Sequence, residues 1–149
     1  MRSLFSKHGL IILELGQKEV KEAMVPIFEK ELKENYSKNL VQENLNFLEK
    51  NYHIQAPPRD FNLFEYQNGK RVRIDKADGS TVDRLHNHPE NFSPNVILRP
   101  LMQQTVLPSI AYVGGGSEAA YWLQLKPIFD ASKVDFPVVL VRDIFCPID

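Results

Sequence analysis

An α/β fold, with a mostly parallel sheet, flanking helices and an inserted β-hairpin excursion, is what this sequence predicts, on three observations. Short aliphatic runs bounded by turn residues recur along the chain, as buried parallel strands do. Between them lie stretches with apolar residues at helical spacing, and that alternation of strand and helix builds a parallel sheet with helices packed on it. A charged, turn-rich segment interrupts the pattern and reads as a β-rich insertion over residues 57–85 of one domain spanning 1–149.

The elements follow in order. Gly9–Glu14, "GLIILE", is the first strand. From Gln17 to about Tyr36 the residues Val20, Met24, Ile27, Phe28 and Leu32 mark a helix, and Pro26 inside it should kink or divide it. Leu40 to Leu48 is a second helical pattern. Asn68-Gly69, within "QNGKRVRI", is the dipeptide that best tolerates the positive φ angles of a tight hairpin, and Asp78-Gly79 reads as a further turn. "HNHPENFSPN" reads as a polar loop leading to a helix from about Val96 to Leu107, with Pro100 in or near its first turn. Ile110 to Val113 is a strand, Glu118 to Phe129 a helix, and "FPVVLVRD" a final buried strand.

Composition narrows the function classes. With 18 basic and 19 acidic side chains the net charge is -1, so no bulk field favours nucleic acid or an acidic membrane. Cys146 is the one cysteine, so no internal disulfide can form, and a small buried hydrophobe in a reducing compartment is its expected role. No apolar run approaches a membrane span and no leader pattern opens the chain, so a soluble, cytoplasmic protein is expected. His86, His88 and Glu90 lack a third nitrogen or sulfur ligand nearby, and a solvated loop is expected there in place of a metal.

The glycines at 114–116 carry the main chemical signal. Gly114, Gly116 and Ala119 fit G-x-G-x-x-A between a strand and a helix, where open amides and the helix dipole favour an anion. A tight strand-to-helix connection demands the same glycines without any ligand. A nicotinamide dinucleotide would want an acidic ribose partner about 20 residues on; Asp135 is near that distance but precedes the last strand, so an oxidoreductase ranks third.

The string "NHPENFSPNVILRPLMQQTVLPSIAYVGGGSEAAYWLQLKPIFD", followed by "FPVVLVRD", resembles the bacillithiol biosynthesis cysteine-adding enzymes, the BshC family of cysteine ligases. That family carries F-S-P-N-V-x-x-R-P, then L-P-x-x-A-Y-x-G-G-G-x-E-x-A-Y-W-x-Q-L-K, then F-P-x-x-L-x-R. "LFSKHGLIILE" and "NYHIQAPPRDFNLF" agree as well, and the likeness is to the family's middle portion. It implies a Rossmann-like core and a ligase joining the cysteine carboxyl group to the amine of glucosaminyl malate. ATP or ADP is the nucleotide implied as activator, and a homo-oligomer is the implied assembly.

Carried onto this chain, the resemblance assigns substrate or nucleotide binding to Asn95, Arg99, Gly114, Gly115, Gly116, Glu118, Tyr121 and Trp122. An arginine at 99 can grip a carboxylate or phosphate through two parallel hydrogen bonds. Glu118 can hold an amine or simply complement the helix dipole, and Tyr121 and Trp122 are expected to pack more than to stack on ligand. The chain departs from the family at Ser117, at Met102-Gln103-Gln104 and at Asp143, and the loss of an acid at Gln104 should remove a substrate contact. Histidine motifs expected to precede this stretch, and a coiled coil expected to follow it, fall outside the likeness. Two classes therefore stay open: a truncated cysteine-adding ligase, or a non-catalytic nucleotide- or small-anion-binding α/β module.

Overall fold

The computed structural model describes residues 14–143, together with Phe5, Lys7 and Gly9. Residues 10–13 of the first predicted strand, and Cys146, lie outside these residues. Helix α1 (Lys18–Glu34) buries Val20, Met24, Phe28 and Leu32 along one stripe. Pro26 sits inside it, and the helix runs on past it. An internal proline costs about 3 kcal/mol, and burying Met24 and Phe28 on either side contributes a comparable or larger amount. The division falls instead at Asn35, whose left-handed backbone (φ 49°, ψ 38°) separates α1 from α2 (Tyr36–Leu48).

Strands β1 (Leu63–Gln67) and β2 (Lys70–Arg73) form the expected hairpin, with positive φ at Asn68 and Gly69. Asp78-Gly79 is no hairpin turn. Asp78 caps helix α3 (Gly79–Asn87), accepting from Ser80 Oγ and the Thr81 amide, bonds that hold its carboxyl down at about 2. Arg84 of α3 then clamps Glu65 of β1 through both carboxylate oxygens, at 2.7 and 3.1 Å.

The predicted polar loop is ordered into a short 3-10 turn (Pro89–Asn91) and strand β3 (Phe92–Pro94), which pairs antiparallel with β1 and completes a three-stranded sheet in the order β2-β1-β3. Helix α4 (Arg99–Val106) starts three residues later than expected, with Pro100 in its first turn, where a missing N–H costs no bond.

Strands β4 (Ala111–Gly114) and β5 (Val138–Val141) pair in parallel, from Ala111 opposite Val138 to Gly114 opposite Val141. The crossover between them was expected as one helix and is two: α5 (Gly116–Trp122) and α6 (Lys126–Ser132), with Pro127 opening the second. The break lets Trp122, Leu125, Ile128 and Phe129 all turn inward. Trp122 stacks on Tyr112 at 4.4 Å and meets Phe129 and Phe136 at 5.7 and 5.5 Å. Strand β5, expected to be buried, is largely exposed at Val138, Leu140 and Val141, as is Ile110 (91% exposed) beside β4.

One polar group lies at the centre of the fold. Glu31 of α1 is fully buried and takes four donors: the amide and hydroxyl of Ser37 at 2.8 and 2.7 Å, and the amide and side-chain nitrogen of Asn62 at 2.8 and 3.2 Å. It thereby joins α1, α2 and the entry to β1. Glu31→Gln replaces an acceptor with a donor facing donors, so urea unfolding should show a loss of about 2 kcal/mol. A loss under about 0.5 kcal/mol, the range of an ordinary surface change, would mean the carboxylate is dispensable.

Candidate functional site

The glycine turn is shaped from within. A Cβ on Gly114 would sit 2.8 Å from Tyr112 Cε1 and 3.2 Å from Glu118 Cβ. Tyr112 folds back along the turn and its hydroxyl donates to Glu118 Oε1 at 3.0 Å. The Gly115 amide, at the N-cap of α5, donates to Glu118 Oε2 at 3.1 Å. The anion at this helix start is therefore the protein's own. The Gly115 amide first, then the Tyr112 hydroxyl, hold the Glu118 carboxyl below its ordinary range, with Arg99 and Arg142 adding to the effect. Gly115 leaves room for the Arg142 guanidinium, which would be 3.8 Å from a Cβ there, and Gly116 faces open space.

Arg99, in the first turn of α4, reaches this cluster. Its Nη2 donates to the Tyr121 hydroxyl at 2.5 Å and lies 3.6 Å from Glu118 Oε1. Arg99, Glu118, Tyr121 and the glycine turn are thus brought together. Trp122 is buried in the aromatic cluster described above. Asn95 spends its side chain on structure: its amide nitrogen donates to Asn62 Oδ1 at 2.7 Å and its oxygen accepts from the Ile97 amide at 2.8 Å. The Arg99 amide in turn donates to the Asn95 carbonyl at 2.9 Å, so the knot at Glu31 extends through Asn62 and Asn95 to Arg99. Gln104, expected to mark a lost ligand contact, is buried and bonded to Ser109 at 2.8 and 2.7 Å.

Arg99 and Tyr121 also line an open cleft of about 680 Å³, with Arg59, Arg71, Arg73 and Phe64 around it. None of its lining residues is acidic. The register of β1 and β2 sets Arg73 opposite Phe64 and Arg71 opposite Tyr66, so both arginines share a face of the hairpin with the Phe64 ring. The Arg71 guanidinium lies 3.7 Å from the ring centroid and that of Arg73 5.5 Å. Arg71 is fixed by donating to Ser93 Oγ and the Pro94 carbonyl, both at 2.9 Å.

Behind the wall made by Arg71, Pro94 and Arg99 lies a second cavity, of about 500 Å³, which also receives Lys21. Lys21 is only 5% exposed and donates to the Phe92 carbonyl at 2.7 Å. Burial, and then the neighbouring Arg71, push its pKa from 10.5 down to about 8. Elsewhere, His86 meets Glu29 at 3.1 Å and His88 meets Glu90 at 3.3 Å. Among the described residues no three His, Cys, Asp or Glu side chains gather as metal ligands, and no helix is long and apolar enough to cross a membrane.

A parallel strand pair bridged by helices, with an arginine-lined cleft beside the glycine turn, defines an α/β domain of the Rossmann-like class. Residues 1–143 match the family described as "Bacillithiol biosynthesis BshC, N-terminal Rossmann-like domain". The chain belongs to that family, and the match is to its N-terminal domain, which corrects the expectation of a middle portion. It is 42% identical over 155 residues to a Flavobacterium johnsoniae protein and 40% identical over 155 to one from Christiangramia forsetii, covering 95% and 94% of this chain. A Bacillus velezensis relative is 34% identical over 144 residues, covering 85%. Each bears the name "Putative cysteine ligase BshC". The chain spans about 29% of the length of the first two relatives and 27% of the third.

Two outcomes follow from this geometry. Gly114→Ala should cost about 1–3 kcal/mol by forcing Tyr112 or Glu118 aside, whereas Gly116→Ala should change stability by less than about 0.5 kcal/mol; equal effects in thermal unfolding would refute the packing account. For Lys21, the unfolded chain is protonated and the native one is not between about pH 8 and 10.5, so native stability gains with rising pH across that window. The excess stability of Lys21→Met over the natural chain should therefore shrink by up to about 3 kcal/mol between pH 7 and 10.5. A pH-independent difference in urea unfolding would contradict it.

Proposed function

We propose that this domain forms the substrate-receiving part of a cytoplasmic cysteine-adding ligase, joining the cysteine carboxyl group to the amine of glucosaminyl malate in the last step of bacillithiol synthesis. The observation that supports this reading is the cleft with Arg59, Arg71, Arg73 and Arg99 on its walls and no acidic residue among them. Glucosaminyl malate carries the two carboxylates of its malate portion, and planar guanidinium groups bind carboxylates through paired hydrogen bonds. In this reading Arg99 grips one carboxylate while Glu118, already oriented by Tyr112 and Gly115, holds the substrate amine.

Amide formation from a free carboxylate needs activation. The guanidinium groups of the cleft suit phosphate oxygens as well as carboxylates, so Arg59, Arg73 and Arg99 are the residues that would hold the phosphates of ATP or ADP. Such a nucleotide, when bound, supplies a leaving group at the cysteine carboxyl. The glycine turn offers its phosphates less, because the Gly115 amide is taken by Glu118. That same occupancy favours a second reading, a small-anion-binding module without catalysis.

Mass spectrometry of a reaction holding the chain, cysteine, glucosaminyl malate and ATP separates the two: bacillithiol establishes the ligase, and binding without product favours the module. Arg99→Lys should weaken malate binding about tenfold, roughly 1.4 kcal/mol, by losing the two-point grip. Unchanged affinity in calorimetry would remove Arg99 from the site.

A further inference from the structure

The cavity behind the Arg71–Arg99 wall gathers three cations, of which Arg99 alone has a carboxylate, Glu118 at 3.6 Å, within ion-pair reach among the described residues. Lys21, Arg71 and Arg99 line it against a single carboxylate, Glu90. Glu90 Oε1 is engaged by His88, and its Oε2 is buried without a hydrogen-bond partner. Lys21 reaches the cavity from α1, only 5% exposed, and spends one of its three N–H groups on the Phe92 carbonyl. Among the described residues no carboxylate lies within ion-pair distance of its ammonium. Arg71, stacked on Phe64 and bonded to Ser93 and Pro94, likewise has no acidic partner among them. Buried cations without counter-charge are costly, and proteins that retain them place an anion there or shift the group toward neutrality.

We propose that this second cavity is a binding site for one small oxyanion, the oxygens of a phosphate or a carboxylate being held between Lys21 Nζ and the Arg71 guanidinium. Lys21 supplies a compact, rotatable set of donors and Arg71 a planar one fixed by its own bonds, so the pair suits a group with two or three acceptor oxygens. Because Arg71, Pro94 and Arg99 line both spaces, the anion sits back to back with whatever occupies the arginine cleft. The inference goes beyond the ligase reading and does not rest on it, since it needs only the buried ammonium, the guanidinium and the cavity.

The test uses the whole chain with 13C-labelled lysine side chains. The Lys21 titration midpoint is followed by NMR without added anion, with inorganic phosphate and with acetate. An occupied site stabilises the charged ammonium, so the midpoint should climb by at least one pH unit with phosphate, with acetate, or with both; which of them acts identifies the source of the oxygens. In calorimetry, Lys21→Met should lose at least tenfold in affinity for the active anion, and Lys21→Arg should recover part of it. A midpoint unmoved by either anion overturns the proposal, and so does Lys21→Met binding as tightly as the natural chain. The NMR arm is read on the natural chain, so the result stands even if the variant folds poorly. Failure here leaves the arginine cleft and its malate affinity untouched, and loss of malate binding there leaves this site standing.

Discussion

The buried carboxylate of Glu31 is the constraint on which the rest of the structure depends. It accepts four hydrogen bonds from two residues, Ser37 just past the end of α1 and Asn62 at the entry to β1, and each of those residues then fixes another segment. Ser37 sets how α2 leaves α1. Asn62 sets where β1 begins, and through its side-chain oxygen it takes both the Arg59 amide and the Asn95 side chain. Asn95 then places the start of α4, and with it Arg99. A single removed oxygen would leave several buried donors without partners, which is the expensive way to lose a hydrogen bond.

Seen from that knot, the arginine cleft and the cavity behind it share one wall. The hairpin carries Arg71 and Arg73 on the face that Phe64 supports, and β3 anchors Arg71 from its other side. Helix α4 brings Arg99 up to the same wall. Positive charge is thereby concentrated at this wall, with Glu118 near Arg99 and Glu90 on the lining of the second cavity as the carboxylates beside it. Glu118 is itself committed to Gly115 and Tyr112, so it orients Arg99 without filling the cleft. Asn95, grouped by resemblance with the binding residues, spends its side chain on Asn62 and the Ile97 amide, and its carbonyl accepts from the Arg99 amide.

Local chemistry was legible in the sequence, and pairing between distant segments was not. Asn68-Gly69 announces its hairpin because positive φ is a property of those two residues alone. The strand before the glycines, and Pro100 in a first turn, are local in the same way. Strand β3 was missed because Phe92–Pro94 is extended only through its pairing with β1, about thirty residues away. The break between α5 and α6 was hidden by apolar residues that keep helical spacing straight through it, although Pro127 marks the restart. Arg99, Glu118 and Tyr121, which the resemblance groups by binding role, are neighbours in the structure. Arg71 and Arg73 carried a signal that went unread: two arginines with period 2 in "KRVR" must share one face of a strand. Glu31 and Lys21 carried a signal as well: at helical spacing from Met24 and Phe28 each falls on the apolar face of the helix, where a charged side chain needs a buried partner.

The central claim, that the buried polar chain from Glu31 through Asn95 holds Arg99 in its binding geometry, is tested most directly by a double-mutant cycle for malate binding between Asn95→Ala and Arg99→Lys. If Asn95 acts through Arg99, the losses should be non-additive by more than about 0.5 kcal/mol, because the second change removes what the first had already displaced. Strictly additive losses would contradict the account and leave Asn95 and Arg99 as independent contributors.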